Sequence, residues 1–442
     1  MRAMIAALVA GLAGTAVGQE VVREGGASEA LVVRCGRLLS VPGHEALGEH
    51  TLVIVDGVVV RVLEGLTGPE TAPAGSRVEV LDLSGFFVLP GLIDCHVHMT
   101  SQQSRDMRLR AVTESDADRA LAGSVYARRT VEAGFTTVRD VGSTGDAAFA
   151  LRDAIESGLV VGPRMLVAGE GISATGGHGD GTLGYRDDLF DAPGPMDGVA
   201  DGADACRQAV RHQVKRGADV IKLTATGGVL SNTAAGLERQ FFDDELRAIV
   251  ETAHLLGRRV AAHAHGAEGI KAALRAGVDS IEHGTYLDGE AIGLFVERGA
   301  FLVPTVHAGK FVGERALEAG YFPDAVAAKA MEVGPRIQDA LRRAHAGGVR
   351  IAFGTDVGVG EHGTNAMEFV YMTEAGMSAS EAIVAATINA AELCALRGEV
   401  GTLEPGRAAD LIAVSASPLA DVRELLDVDA VVRAGRVIVR PE

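Results

Sequence analysis

Apolar residues in this chain recur in short runs separated by longer amphipathic stretches. Strand-like runs occur at Phe87–His96, Thr136–Val141, Arg164–Ala168, Val220–Leu223, Arg259–Ala262, Ser280–Glu282, Phe301–Val306 and Arg350–Phe353. Most of these runs are too short for a stable helix, and their β-branched content favours strand. The stretches between them carry helical spacing. In Asp244–Gly257, Leu246, Ile249, Val250 and Ala253 form an apolar stripe behind acidic residues suited to a helix start. Gly134, Gly217, Gly257, Gly277, Gly299 and Gly348 mark helix ends before the next strand. Strand and helix therefore alternate from about Pro90 to Leu396, which predicts an α/β fold of parallel strands. Eight such strands are the number of a closed (β/α)8 TIM barrel.

Both ends of the chain have a different texture. From Glu29 to about Val80, Val, Leu and Ile alternate with polar residues, and Asp56-Gly57 is a hairpin signal between two runs. Gly401–Val439 returns to the same pattern, with Gly435 at a turn. Because both ends lack helical periodicity and flank the barrel, they are expected to pair into one small discontinuous β-sandwich. The expected organisation is 19–88 plus 398–442 for the sandwich and 89–397 for the barrel. Residues 1–18 combine Arg2, an uninterrupted run of apolar and small residues, and Ala16-x-Gly18 before Gln19-Glu20. That is the layout of a secretory signal peptide. A spanning anchor needs about twenty strongly apolar residues, and no Cys follows the apolar stretch for lipid attachment. The expectation is a secreted or periplasmic protein with no membrane attachment after cleavage.

By length alone 442 residues allow about two or three domains, and an apolar fraction of 47% is ample for a large core. A net charge of −18 argues against nucleic acid or an anionic membrane as partner. The absence of Trp removes the best platform for stacking bases. Cys35, Cys95, Cys206 and Cys394 form no C-x-x-C pair and read as buried thiols.

The informative residues stand at the ends of the strands. His96 and His98 close the first run, and residues two apart on a strand face the same way. Lys222 ends the fourth run, His263 follows the fifth, His283 the sixth and Asp356 the eighth. In a closed barrel these ends converge on the face where active sites form. An open doubly wound sheet would gather its ligands at one switch point instead. Imidazole and carboxylate suit zinc and similar borderline ions, although such a set also accepts Mn, Co or Fe. Lys222 cannot ligate a cation as an ammonium, whose ordinary pKa is ~10.4. Reaction with CO2 would turn it into a carbamate able to bridge two divalent ions. Two ions would lower the pKa of a bridging water, polarise a carbonyl and orient a substrate. Asp356 is then both a ligand and the proton shuttle from attacking hydroxide to leaving nitrogen. Cys95 points to the opposite strand face and reads as packing.

These residues resemble the amidohydrolase superfamily over nearly the whole mature chain. The segments that carry the likeness include PGLIDCHVHMT at 90–100, TTVRDVG at 136–142, ISATGGHGD at 172–180, DVIKLTATGGVLS at 219–231, VAAHAH at 260–265, SIEHGTYLD at 280–288, FGTD at 353–356 and GTLEPGRAADLI at 401–412. The resemblance implies the same barrel and terminal sandwich, a binuclear zinc-type centre with carboxylated lysine, and frequent self-association into homo-oligomers. The loops TGGHGD and ATGGVLS are similar to those of metal-dependent dipeptidases acting on Xaa-Pro or Xaa-Arg/Lys and of enzymes hydrolysing the ochratoxin amide. That branch cleaves an amide next to a free carboxylate in a small molecule. It makes His178 and Tyr286 candidates for binding the substrate carboxylate or scissile carbonyl, and gives His265 a supporting place beside the ligands. Neither glycine-rich loop has the G-x-x-x-x-G-K-[ST] arrangement of a phosphate cradle, and the segment His362–Glu368 has no role at this level. The alternatives are a cyclic-amide hydrolase of the imidazolonepropionase or dihydroorotase type, a mononuclear deaminase and a non-catalytic scaffold. Lys222 disfavours the deaminase, and the intact ligand set disfavours the scaffold.

Overall fold

The computed structural model describes residues 28–231 and 236–441, so the expected signal segment lies outside the described residues. Four strands open the chain: β1 (Glu29–Leu38), β2 (His50–Val55), β3 (Val58–Glu64) and β4 (Arg77–Pro90). Eight more follow: β5 (Leu92–Val97), β6 (Phe135–Asp140), β7 (Arg164–Val167), β8 (Val220–Thr224), β9 (Arg259–Ala264), β10 (Ser280–His283), β11 (Phe301–Val303) and β12 (Arg350–Ile351). β13 (Leu411–Val414), β14 (Ala430–Arg433) and β15 (Arg436–Val439) close the chain.

The two ends pair in a single seven-stranded sheet, ordered β15-β14-β13-β4-β1-β2-β3. β1 pairs antiparallel with β2 and parallel with β4, and β13 joins antiparallel on the other side of β4. Asp56 and Gly57 carry φ of 47° and 83° at the β2–β3 turn, as a two-residue hairpin with positive φ requires. This turn meets the β14–β15 turn, although the two pairs stand at opposite edges of the strand order. A Cβ on Gly57 would fall 2.6 Å from the Ala434 carbonyl oxygen. The sheet is therefore curled, and Leu31, Val33, Leu52, Val59, Leu411 and Val432 pack in its concavity.

β5 through β12 pair in parallel, in the orders β5-β6-β7 and β8-β9-β10-β11-β12. Hydrogen bonds cross both gaps between these groups. On one side Asp219 N donates to Val167 O at 2.8 Å and Ile172 N to Lys222 O at 2.8 Å. On the other, Cys95 N donates to Phe353 O at 2.9 Å and Asp356 N to His96 O at 2.7 Å. The helix Asp243–Leu255 buries Leu246, Ile249, Val250 and Ala253, the stripe expected from spacing. No helix among the described residues is long and apolar enough to cross a membrane.

Among the strand boundaries that differ from the runs in the sequence, three have a clear physical cause. Phe87–His96 is shared by two sheets: Pro90 ends β4, Gly91 N donates to Asp410 O at 2.8 Å, and the barrel strand starts at Leu92. β11 stops at Val303 because Pro304 has no N–H to donate and Thr305 leaves the extended region at φ 52°. Beyond β12, Phe353 N turns to Ala385 O at 3.1 Å.

Candidate metal centre

The centre begins with the tautomers of two imidazoles on β5. His96 Nδ1 lies 2.8 Å from Glu282 Oε2, which leaves Nε2 for the cavity. Glu282 is fixed by Arg139, whose Nη2 donates to Oε1 at 3.0 Å and whose Nε donates to Cys95 O at 2.6 Å. Both charged partners are buried, Arg139 at 1% exposure and Glu282 at 0%. Burial alone would raise the Glu282 pKa, but Arg139's charge and the His96 hydrogen bond bring it down to about 2. Glu282 is thus an anion that accepts from Nδ1–H. His98 Nδ1 donates to the Gly142 carbonyl at 2.7 Å, which leaves the lone pair of Nε2 for the cavity. Asp356 Oδ1 is 3.6 Å from His96 Nε2 and 3.2 Å from His98 Nε2. Although buried, that oxygen has no hydrogen-bond partner.

A second group stands on β9, the residue after it, and β10. Donor atoms of His263, His265 and His283 lie within 4.8 Å of one another, as do those of His96, His98 and Asp356. The Thr305 hydroxyl donates to Pro304 O at 2.8 Å, so it accepts from His283 Nδ1 at 2.7 Å and Nε2 again is free. His263 Nε2 is 3.3 Å from Gly227 O, and His265 Nδ1 is 2.9 Å from Thr285 Oγ1. His265 is the neighbour that sequence reading placed beside the ligands; here it lies within ligating reach. The signal was present, since 263 and 265 repeat the two-residue spacing of 96 and 98.

Lys222 projects from β8 into the same cavity and is buried. Burial lowers its ammonium to about 8, against the opposing charges of Glu282 and Asp356. Burial also pulls His96 to about 4 and His265 to about 3, and holds His263 and His283 well below the usual imidazole range. These rings are neutral at pH 7, the form that binds metal. Neutral imidazoles with fixed tautomers and an unpartnered buried carboxylate oxygen fit a divalent cation of the borderline class.

The cavity over these groups has a volume of about 580 Å³. Val229, Ala308, Val312, Val333, Ile337 and Val359 give it an apolar wall, and Glu170, Asp191 and Asp197 also line it. His178 lines it too, its ring 4.2 Å from that of His263 and Nδ1 2.7 Å from Ser231 Oγ. Burial lowers His178 to about 4, so it too is neutral. Tyr286, the other substrate-binding candidate, does not line the cavity. Its backbone N is tied to His265 O at 2.9 Å, and its hydroxyl donates to Glu332 Oε1 at 2.6 Å near the surface. The turn at Gly284, φ 63°, redirects the chain before Tyr286 is reached. Sequence reading also missed Arg139 and Glu282, because a buried ion pair on strands two and six is visible only once the barrel brings them together.

The sequence profile described as the amidohydrolase family matches residues 87–438. Ochratoxinase of Aspergillus niger is 34% identical over 422 residues, covering 89% of this chain and 83% of that protein. A Xaa-Pro dipeptidase solved with methionine bound in its active site superposes with a TM-score of 0.88 at 42% identity, covering 92% of this chain and 99% of the other. A prolidase complexed with N-methylphosphonate-L-proline superposes with a TM-score of 0.84 at 33% identity, over 93% and 100% of the two chains.

Proposed function

Since the chain belongs to the amidohydrolase family, with its TIM-barrel α/β fold, and is a hydrolase acting on amide bonds, we propose that it cleaves small dipeptide-like amides whose scissile bond adjoins a free carboxylate. The observation that carries this reading is that two ligand groups and Lys222 line one cavity. His96, His98, Lys222, His263, His283 and Asp356 would hold two divalent ions, zinc foremost. When bound, the ions would polarise the scissile carbonyl and lower the pKa of water.

The chain's own residues do the rest. Lys222 must be neutral to add CO2, and its lowered pKa enlarges that fraction near neutral pH. From the neutral amine the reaction forms an N–C bond and releases one proton; counted from the ammonium, two protons leave and a buried cation becomes a carboxylate. That anion sits among neutral imidazoles, where a cation would repel the metals. Asp356, one oxygen of which would be given to a metal, holds the transferred proton on the other and passes it to the leaving nitrogen. His178, neutral and with Nδ1 occupied by Ser231, offers Nε2 to an oxygen of the substrate. Lys222 is the one Lys or Arg among the described residues that line the cavity, so the substrate carboxylate is read by neutral donors, and the apolar wall receives a side chain. The names of the dipeptidase, the prolidase and ochratoxinase support an amide of this kind. In the same reading the enzyme is exported through residues 1–18 and works as a homo-oligomer.

The test is chelation followed by reloading with zinc, elemental analysis, and a panel of Xaa-Pro, Xaa-Arg/Lys and aromatic N-acyl amino acids. Two metals per chain and metal-dependent hydrolysis are expected, with both lost or halved in Lys222→Ala. A Lys222→Ala protein with full metal content and activity would refute the carbamate. Absence of metal-dependent amide hydrolysis across the panel would refute the function.

A further inference from the structure

The segment 362–368, HGTNAME, has no part in the chemistry above, yet its polar side chains are nearly all engaged. Asn365 Nδ2 donates to Asp94 Oδ2 at 2.8 Å. Asp94 in turn accepts from His96 N at 3.0 Å, Thr355 N at 3.1 Å and the Thr355 hydroxyl at 2.6 Å. It therefore ties together the backbone carrying two ligands of the first group, His96 and, one residue after Thr355, Asp356. Three residues after Asn365, Glu368 accepts from Val306 N at 3.0 Å and His307 N at 2.7 Å. Those amides directly follow Thr305, the residue at φ 52° whose hydroxyl sets the His283 tautomer. A third tie reaches the same strap: the Thr364 hydroxyl donates to Glu361 O at 2.7 Å and so accepts from His307 Nε2 at 2.8 Å.

Asp94, Asn365 and Glu368 are each 0% exposed. Burying polar and ionisable groups costs more than packing apolar residues of the same size unless every group is satisfied. A Leu or Met here would serve stability as well. What apolar side chains could not do is fix backbone amides on two different strand ends to one helical turn. We propose that residues 362–368 form a clasp in which Asn365, through Asp94, and Glu368, through the backbone at 305–307, act as positioning residues for both groups of metal donors. The inference rests on the two-metal reading above and adds to it a source of the donors' alignment.

Zinc affinity of the full-length protein, measured by competition with a chromophoric chelator, tests the clasp. Asn365→Ala and Glu368→Gln are expected to weaken zinc binding about 10–100-fold, the usual effect of losing a group behind the ligands. The loss should appear in kcat with KM nearly unchanged. Met372→Ala, which opens the core one turn beyond Glu368 but removes none of the clasp's hydrogen bonds, should lower Tm but leave zinc affinity within about twofold of the parent. Unchanged affinity in both clasp variants overturns the proposal, and so does an equal loss in Met372→Ala, which would make the effect merely structural. Should Asn365→Ala fail to fold, the near-isosteric Glu368→Gln together with Asn365→Ser carries the comparison. A parent protein that binds no zinc overturns the two-metal reading along with the clasp, whereas zinc binding with insensitive variants overturns the clasp alone.

Discussion

His283, Thr305 and Asp356 sit at φ 72°, 52° and 60°, a region that costs a non-glycine residue about 1–3 kcal/mol. Thr305 is the most strained in kind, because β-branched residues rarely adopt positive φ. Thr305→Gly should therefore leave the unfolding free energy of the metal-free protein within about 1 kcal/mol of the parent, relief of strain offsetting the lost contacts. Zinc affinity should nevertheless fall about 10-fold or more, because His283 Nδ1 loses its acceptor. Denaturant titration of the chelated protein and chelator competition measure the two effects. Stability lost by 3 kcal/mol or more would mean that Thr305 supports the fold and does not strain it. At this scale the sequence disclosed which residues meet, since His-x-His on a strand fixes a common face. It did not disclose the strain, because nothing in Pro304-Thr305-Val306 shows that a helix must start one residue after a strand turns. It also could not separate His265 from its neighbours, because side-chain direction at a strand end depends on the loop beyond.

Between the elements, the apolar wall depends on how closely two helices approach. Val306–Arg315 and Asp324–Ala346 cross at Gly309 and Gly334, where a Cβ on Gly334 would fall 2.8 Å from the Gly309 carbonyl oxygen. That oxygen belongs to the backbone and cannot swing away. Gly334→Ala would gain about 1 kcal/mol of helix propensity, but overpacking typically costs about 1–3 kcal/mol. A modest net destabilisation is expected. The larger effect should fall on substrate binding, since Val333 and Ile337 flank the glycine and line the cavity. KM for a dipeptide with an aliphatic side chain should rise at least about 3-fold with kcat little altered, because such a wall supplies binding without taking part in the reaction. A variant that loses kcat at constant KM would place the wall's influence on the metal centre instead. The strands behind this geometry were legible in their β-branched runs, and so was the stripe of Asp243–Leu255. Tyr286 was not: periodicity locates the end of β10 but carries no information about the turn at Gly284 or the competing pull of Glu332 on the tyrosine hydroxyl.

In the molecule as a whole, the concentration of buried titratable groups makes stability depend on pH in a direction that can be worked out. Eight short parallel runs were enough to read the barrel. Composition could not say that so many of the ionisable groups would be internal. Burial lowers His96, His178, His307 and His362 to about 4 and His265 to about 3, and holds His263 and His283 well below their usual range. Each is neutral when folded and becomes charged more readily when unfolded. Between its folded value and about 6.5, the unfolded chain therefore binds the extra proton, and stability rises with pH. Among the groups that oppose this, four stand out. Burial raises Asp94 and Asp140 to about 6 and Glu368 to about 8, and Asp356 keeps His98 raised against its desolvation. For those four the folded state holds the proton, and stability falls as pH rises. Seven imidazoles outweigh them, and the opposition of Asp94 and Asp140 fades by pH 6. The chelated protein should accordingly unfold at a lower urea concentration at pH 5 than at pH 7. A midpoint equal or higher at pH 5 would mean that the imidazoles are not held neutral inside the fold, and the metal-ready state assigned to them would fail with it.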